Sequence, residues 1–195
     1  SECLVGSEMC IRDSFLDGGV KGSLNVDMGR GHAFSIGAGY ELRAPMANTA
    51  FISPEISNDF VTNLKNERIF SSEFSYLYRN AWLSANVSGY YSRLENVTEW
   101  QNFYNDDENS FTYVSMTGLK KEYYGVEVGA KIKLTSWLDL KTLGAMSEAK
   151  NINNVNAVYM LSKSAEVYQD KAYVMNMRES GTPLTVGSIG LDAHV

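Results

Sequence analysis

"YYGVEVGAKIKL", Tyr123–Leu134, alternates without interruption. Tyr124, Val126, Val128, Ala130, Ile132 and Leu134 fall on one side, and Gly125, Glu127, Gly129, Lys131 and Lys133 on the other. A period of two held this long marks a strand with one apolar and one polar face. The same pattern recurs upstream. In "FSIGAGYEL", Phe34, Ile36, Ala38, Tyr40 and Leu42 oppose Ser35, Gly37, Gly39 and Glu41. In "WLSANVSGYYS", Leu83, Ala85, Val87, Gly89 and Tyr91 oppose Ser84, Asn86, Ser88, Tyr90 and Ser92. The chain is therefore expected to be all-β.

Seven strands are expected, at roughly 19–27, 33–43, 67–78, 81–93, 111–134, 137–147 and 171–195. The fifth should bend at Gly118–Lys121 and the seventh at Ser180–Pro183. Tight turns at Met28–His32, Arg79–Asn80 and Thr135–Ser136 alternate with long polar loops at Pro45–Asn66, Leu94–Ser110 and Glu148–Asp170. A soluble sandwich has no reason to gather every long loop at one end. A transmembrane barrel does, since its short turns face one side of the membrane and its long loops the other. Most of the strands also have the 9–13 residues needed to cross at a tilt.

The aromatics form two bands. Tyr78, Trp82 and Trp137 flank the short turns, and Tyr40, Tyr90, Tyr91 and Tyr113 sit toward the long-loop ends. Amphipathic rings favour such interfacial positions. The inward face carries Glu41, Arg43, Glu73, Asn86, Glu127, Lys131, Lys133, Asp139, Lys141 and Asp192. That is too polar for the dry core of a small barrel and suits a wide, wet or plugged lumen. A soluble all-β protein with one solvated face is the alternative.

The first fourteen residues, "SECLVGSEMCIRDS", break the pattern. They have neither strand period nor the features of a secretory signal. Leu4–Ser14 resembles the in-frame translation of a transposase-type sequencing adapter. Residues 1–14 are therefore expected to be an artefact and 15–195 the protein proper. Setting them aside removes both cysteines, Cys3 and Cys10, and with them any disulfide or redox argument. It also removes Arg12, Glu2, Glu8 and Asp13, so a formal charge of −6 becomes −4. A mildly acidic chain does not suit a nucleic-acid partner. Tyr (12) outnumbers Phe (8), and Pro (3) is scarce, which suits strands and polar loops.

Three segments carry a family resemblance. "YYGVEVGAKIKLTSWLDLKTLGAM" resembles the Gly-Val-Glu strand, turn and returning strand of TonB-dependent outer-membrane receptors. "GTPLTVGSIGLDA" is similar to the Gly-x-Pro segment before a later strand of those barrels. "RAPMANTAFISPEI…NLKNERIFSSEFSYLYR" is similar to their Arg-Ala-Pro loop and the Glu-bearing strand after it. The flavour is that of Bacteroidota-type receptors with a carboxypeptidase-regulatory-like module. The resemblance implies an antiparallel transmembrane β-barrel fragment, about seven strands of a 22-stranded barrel, truncated at both ends. It also implies TonB-energised uptake of a bulky nutrient (siderophore, cobalamin, glycan or peptide) across the bacterial outer membrane. The partners implied are the TonB complex through missing N-terminal parts, outer-membrane lipid, the nutrient and, as a candidate, a surface lipoprotein. A passive porin-like channel, a barrel enzyme and a soluble β-sandwich binding protein are the rivals.

Candidate ligand residues lie in the long loops. In "TEWQNFYNDDENS", Trp100, Phe103 and Tyr104 offer rings, and Asp106, Asp107 and Glu108 offer acceptors or a calcium site. The alternative is a solvated acidic tip whose rings pack on neighbouring loops, and no EF-hand spacing is present. Phe51, Ile52 and Phe60 of the first long loop are further candidates, again against simple loop packing. Glu41, Arg43, Glu73, Glu127 and Lys131 are the candidate lumen wall. "AVYMLSKSAEVY", Ala157–Tyr168, reads as a short amphipathic helix in an outer loop. The only histidines are His32 in a turn and His194 near the end, which supports no catalytic triad or metal cluster. No enzyme, cofactor or metal is expected.

Overall fold

A computed structural model describes residues 17–53, 61, 64–164 and 166–194. Residues 1–14 and Phe60 lie outside the described residues. Among the described residues the fold is one antiparallel sheet of nine strands. They are β1 (Gly18–Gly29), β2 (His32–Arg43), β3 (Glu67–Arg79), β4 (Leu83–Asn105), β5 (Ser110–Lys133), β6 (Leu138–Asn151), β7 (Val155–Leu161), β8 (Val167–Ala172) and β9 (Thr185–Ala193). The main order is β1-β2-β3-β4-β5-β6-β9, with β7 joining the far end of β5 and β8 pairing β7. The sheet is open, with β1 and β9 at its edges.

Register fixes the two faces, because residues directly opposite on antiparallel neighbours point the same way. Ile36, Phe74, Gly89, Val126 and Met146 form one continuous row across five strands. Tyr40, Phe70 and Arg93 belong to the same face, as do Ala38, Ser72, Tyr91, Tyr124 and Glu148. This face is apolar and bare, with Val126 and Val128 each 48% exposed and Ile189 80%. An apolar surface spanning seven strands would aggregate in water and is at home in hydrocarbon.

The tight turns match the sequence. Asp27 Oδ1 accepts from Gly29 N at 2.8 Å, and Gly29, Arg30 and Gly31 all take positive φ. Gly31 is required twice over: its φ is +84°, and a Cβ there would collide with the Arg79 carbonyl. Asn80 Oδ1 accepts from Trp82 N (3.0 Å) and Leu83 N (2.7 Å), closing the β3–β4 turn.

The long-loop end differs from expectation. The segment 94–110 is mostly strand, because β4 and β5 run on together for 23 and 24 residues. At ~3.3 Å per residue a 24-residue strand is about 80 Å long, far more than a tilted crossing needs. The upper halves of β4 and β5 therefore stand clear of any bilayer. The helix expected at Ala157–Tyr168 is instead the β7–β8 hairpin, and the expected strand 171–195 is split between β8 and β9. The bend expected in the fifth strand is present, with Gly118 at φ +82° and a register shift; Ser180–Pro183 lies not in a bent strand but in the segment between β8 and β9, where Gly181 has φ +84°. Tyr90 faces the polar side opposite Glu73, and Tyr113 is buried in the outer extension. The ring band above the apolar face is therefore Tyr40, Phe70, Tyr91 and Tyr124.

Candidate functional site

The polar face of the sheet is a wall of small and charged side chains. Glu41, Arg43, Glu73, Glu127 and Lys131 all lie on it, interleaved with Ser35, Gly37, Ser71, Ser75, Ser88 and Gly129. The charges are largely paired. Arg43 donates to Glu67 Oε2 through Nε (2.8 Å) and Nη2 (2.6 Å). Lys131 meets Asp139 at 2.8 Å, and Asp139 also meets His194 Nε2 at 2.9 Å. Lys141 meets Asp192, and Lys21 approaches Glu41 at 3.6 Å. Glycines at 37 and 39 and serines at 71 and 92 leave a trough of about 440 Å³ between Lys21, Glu73 and Tyr90.

Above this wall the extended β4–β5 pair and the β7–β8 hairpin make a four-stranded outer sheet. One face presents Glu99, Gln101 and Phe103 from β4, Val114 and Met116 from β5, Ala157 and Tyr159 from β7, and Tyr168 and Asp170 from β8. The opposite face presents Trp100, Asn102 and Tyr104 with Tyr113, Val158 and Met160. Lys121 shows which face continues the polar wall. It sits on the wall side of β5, is only 5% exposed, and donates to Glu99 and to Glu179 Oε1 (2.8 Å). The Glu99 face thus runs on from the wall. Two bulges at this junction, with Asn96 at φ +60° and Gly118 at φ +82°, bend both strands together and keep them paired.

Each outer face has its own core. Val97, Met116, Leu119, Val155 and Ala157 pack on the wall side, with Ala172 and Val174 against them. Ile52, Val61 and Met160 pack on the other side and tie the first long loop down. Burial alone would lower the Lys121 ammonium. Its hydrogen bonds to Glu179 and Glu99 outweigh that and hold it above the ordinary lysine value. Burial would likewise raise Glu179, but hydrogen bonds from Lys121 and Tyr123 hold its carboxyl below the usual range.

The candidate ligand residues do not come together. Trp100 stacks on Tyr113 with centroids 5.9 Å apart, and its Nε1 donates to Ile52 O at 3.0 Å, so it clamps the first long loop. Tyr104 packs edge-on to Phe111 at 5.3 Å on that same face, and its hydroxyl meets Asn109. Phe51 lies in the clamped loop, just after the 3₁₀ turn Ala47–Ala50. Asp106 and Asp107 sit in the exposed β4–β5 tip, where Asn105 Oδ1 accepts from Asp107 N at 3.1 Å. Of Trp100, Phe103 and Tyr104, only Phe103, 51% exposed, faces the wall side. Among the described residues no three His, Cys, Asp or Glu side chains converge as metal ligands would.

Two features escape the sequence reading. One is the Glu99–Lys121–Glu179 clasp, which joins residues 58 apart along the chain. The other is the stacked pair Tyr159–Tyr168, with centroids 5.2 Å apart and planes within 18°. "VNAVYML" is apolar at nearly every position, so it shows no period of two by which a strand could be read.

A family model described as TonB dependent receptor-like, beta-barrel matches residues 21–185. No curated protein and no solved structure matches the chain.

Proposed function

Because the chain belongs to the family of TonB-dependent receptor-like β-barrels, we propose that residues 15–195 are a stretch of barrel wall, with the outer loops of a receptor that takes up a bulky nutrient. The family is one of outer-membrane receptors and transporters. The finer reading is a Bacteroidota-type receptor with a plug inside a 22-stranded barrel, drawing energy from the TonB complex and served by a surface lipoprotein. The cargo is a siderophore, a cobalamin, a glycan or a peptide.

One observation carries the membrane reading: the sheet keeps its apolar and polar faces apart, in register, across seven strands. The bare apolar face is the lipid surface. The polar face, with Glu41, Arg43, Glu73, Glu127 and Lys131, is the lumen wall. The outer-sheet face continuous with it lines the entrance, so Phe103, Tyr159 and Tyr168 are the rings placed to meet incoming cargo. Trp100 and Tyr104 serve loop architecture.

Single cysteines placed after Cys3 and Cys10 are replaced by Ser test the reading in outer-membrane vesicles. Glu127→Cys and Lys131→Cys should react with a water-soluble maleimide. Val126→Cys and Val128→Cys should react only with a lipid-soluble one. Equal labelling of neighbouring positions by the water-soluble reagent would sink the reading. The transport step is checked by cargo uptake with and without a functional TonB complex; uptake that is unchanged without it would leave a passive channel.

A further inference from the structure

The β7–β8 hairpin ends the outer sheet, and its last strand is an open edge. β8 pairs β7 on one side, and among the described residues no strand lies on its other side. This edge is six residues long, holds neither a proline nor a bulge, and is exposed from Val167 through Lys171. The outward amides and carbonyls of such an edge are a template for one more strand.

The side chains of β8 say which strand would fit. On the entrance face Tyr168 lies opposite Tyr159, and the two rings stack. The Tyr168 hydroxyl donates to Glu166, just before the strand, and Asp170 follows on the same face two residues later. The ring is thus bracketed by two carboxylates. Its hydrogen bond to Glu166 holds its hydroxyl above the ordinary tyrosine value, and burial and the charges of Glu166 and Glu108 add to the shift. Asp170 accepts from the Lys171 amide at 2.6 Å, and neither Asp170 nor Glu166 has a cationic partner among the described residues. The lysines nearby are engaged elsewhere. Lys163 meets Glu108 at 2.8 Å, and Lys171, on the opposite face, stands 5.3 Å over the Tyr173 ring. An anionic cargo is repelled by this edge, whereas an ammonium or guanidinium group finds both carboxylate and ring.

Resting on the entrance reading above, we propose that the free edge of β8 captures an extended basic peptide as an added strand. Strand geometry joins the two observations. Same-face side chains of a strand recur about every 6.7 Å, so those of an added strand keep step with Tyr168 and Asp170. Basic residues at every second position of the peptide meet Asp170, the Tyr168 ring and Glu166 in turn. Its main chain continues the ladder and supplies affinity without regard to sequence. Among the cargo classes above, this selects peptide for the outermost contact and places first capture on the hairpin.

The test is fluorescence anisotropy of labelled heptapeptides on the full receptor in neutral detergent. Thr-Lys-Thr-Lys-Thr-Lys-Thr should bind about tenfold more tightly than Lys-Lys-Lys-Thr-Thr-Thr-Thr, which has the same charge but the wrong period. Methylating its backbone nitrogens should weaken it by a similar factor of about ten. Asp170→Asn with Glu166→Gln should weaken it about tenfold, and Tyr168→Leu about threefold. Gln169→Ala, on the opposite face of β8, should leave binding within about twofold. Equal binding of the two isomers overturns the proposal, as does equal binding by the double charge variant and the parent. Binding of neither peptide also overturns it, since the edge is then covered or closed. Binding without TonB-dependent uptake of the peptide supports the edge site and counts against the transport reading. TonB-dependent uptake of another cargo by a receptor that ignores both peptides sinks the edge site and leaves the transport reading standing.

Discussion

Replacing Lys121 by Met is the sharpest probe of the outer architecture. Lys121 is nearly buried, and its ammonium donates to both Glu99 and Glu179. Breaking a buried ion pair from one side costs about 3–5 kcal/mol, because the abandoned charge stays out of water. Here the two carboxylates are 29% and 37% exposed, so they regain some hydration when orphaned. We therefore expect about 2 kcal/mol, or roughly 30-fold in a local opening equilibrium. The loss should fall on the strap that Glu179 anchors. Its amides are held by Glu179 N to Ala149 O (2.9 Å), Asn176 N to Asn151 O (2.8 Å) and, from the other side, Asn151 N to Met177 O (2.9 Å). Hydrogen exchange read by mass spectrometry on peptides spanning 173–184 measures this directly. pH supplies a second handle. Glu179 is held below its ordinary value, so its contribution is present above the usual carboxylate range and is lost as pH falls through its lowered value. Lys121 is held above its ordinary value, so its contribution is present below the usual lysine range and is lost as pH rises through its raised value. After correction for intrinsic rates, protection of 173–184 should form a plateau between about pH 5 and pH 10, and Lys121→Met should flatten it. Protection within twofold of the parent, or loss spread equally over β2 and β3, would refute the clasp.

Trp100→Ala should free the first long loop at a cost of about 2–3 kcal/mol, from one hydrogen bond and one ring stack, and speed its cleavage by added protease; uptake that falls while cleavage stays unchanged would make Trp100 a ligand contact instead. Gly31→Val should destabilise the β1–β2 turn by at least about 2 kcal/mol, since it adds both a positive-φ strain and a collision with Arg79. Urea unfolding in lipid vesicles would show it, and an unchanged midpoint would contradict the turn. Val128→Arg should cost about 2–4 kcal/mol in the same assay, and Glu127→Arg, one residue away, should cost under about 1 kcal/mol. Similar costs at both positions would mean that the two faces see the same solvent.

What the sequence determined by itself is whatever depends on near neighbours. Alternation put Val126 and Val128 on one face and Glu127 on the other, because a strand reverses its side chains at each step. Gly31, Asn80 and Gly118 marked turns and bends, because their chemistry is local to a few residues. The pairings β1–β2, β3–β4 and β5–β6 follow from short turns, each of which leaves its two strands no choice but to pair. Tertiary structure decided the outer end. β4 and β5 lose their other membrane neighbours there, and whether they stay paired depends on what packs on each side. The β7–β8 hairpin, with apolar residues on both faces, covers β5, and each of its faces meets a separate core. That two-sided burial erases the period from which a strand is read. Alternation alone separates Phe103 from Trp100, but only the fold could say which of them continues the polar wall, since the bulges at Asn96 and Gly118 reset the phase just before them. The Lys121 clasp is likewise invisible in the chain, because the field of a buried charge depends on distance in space and not along the sequence.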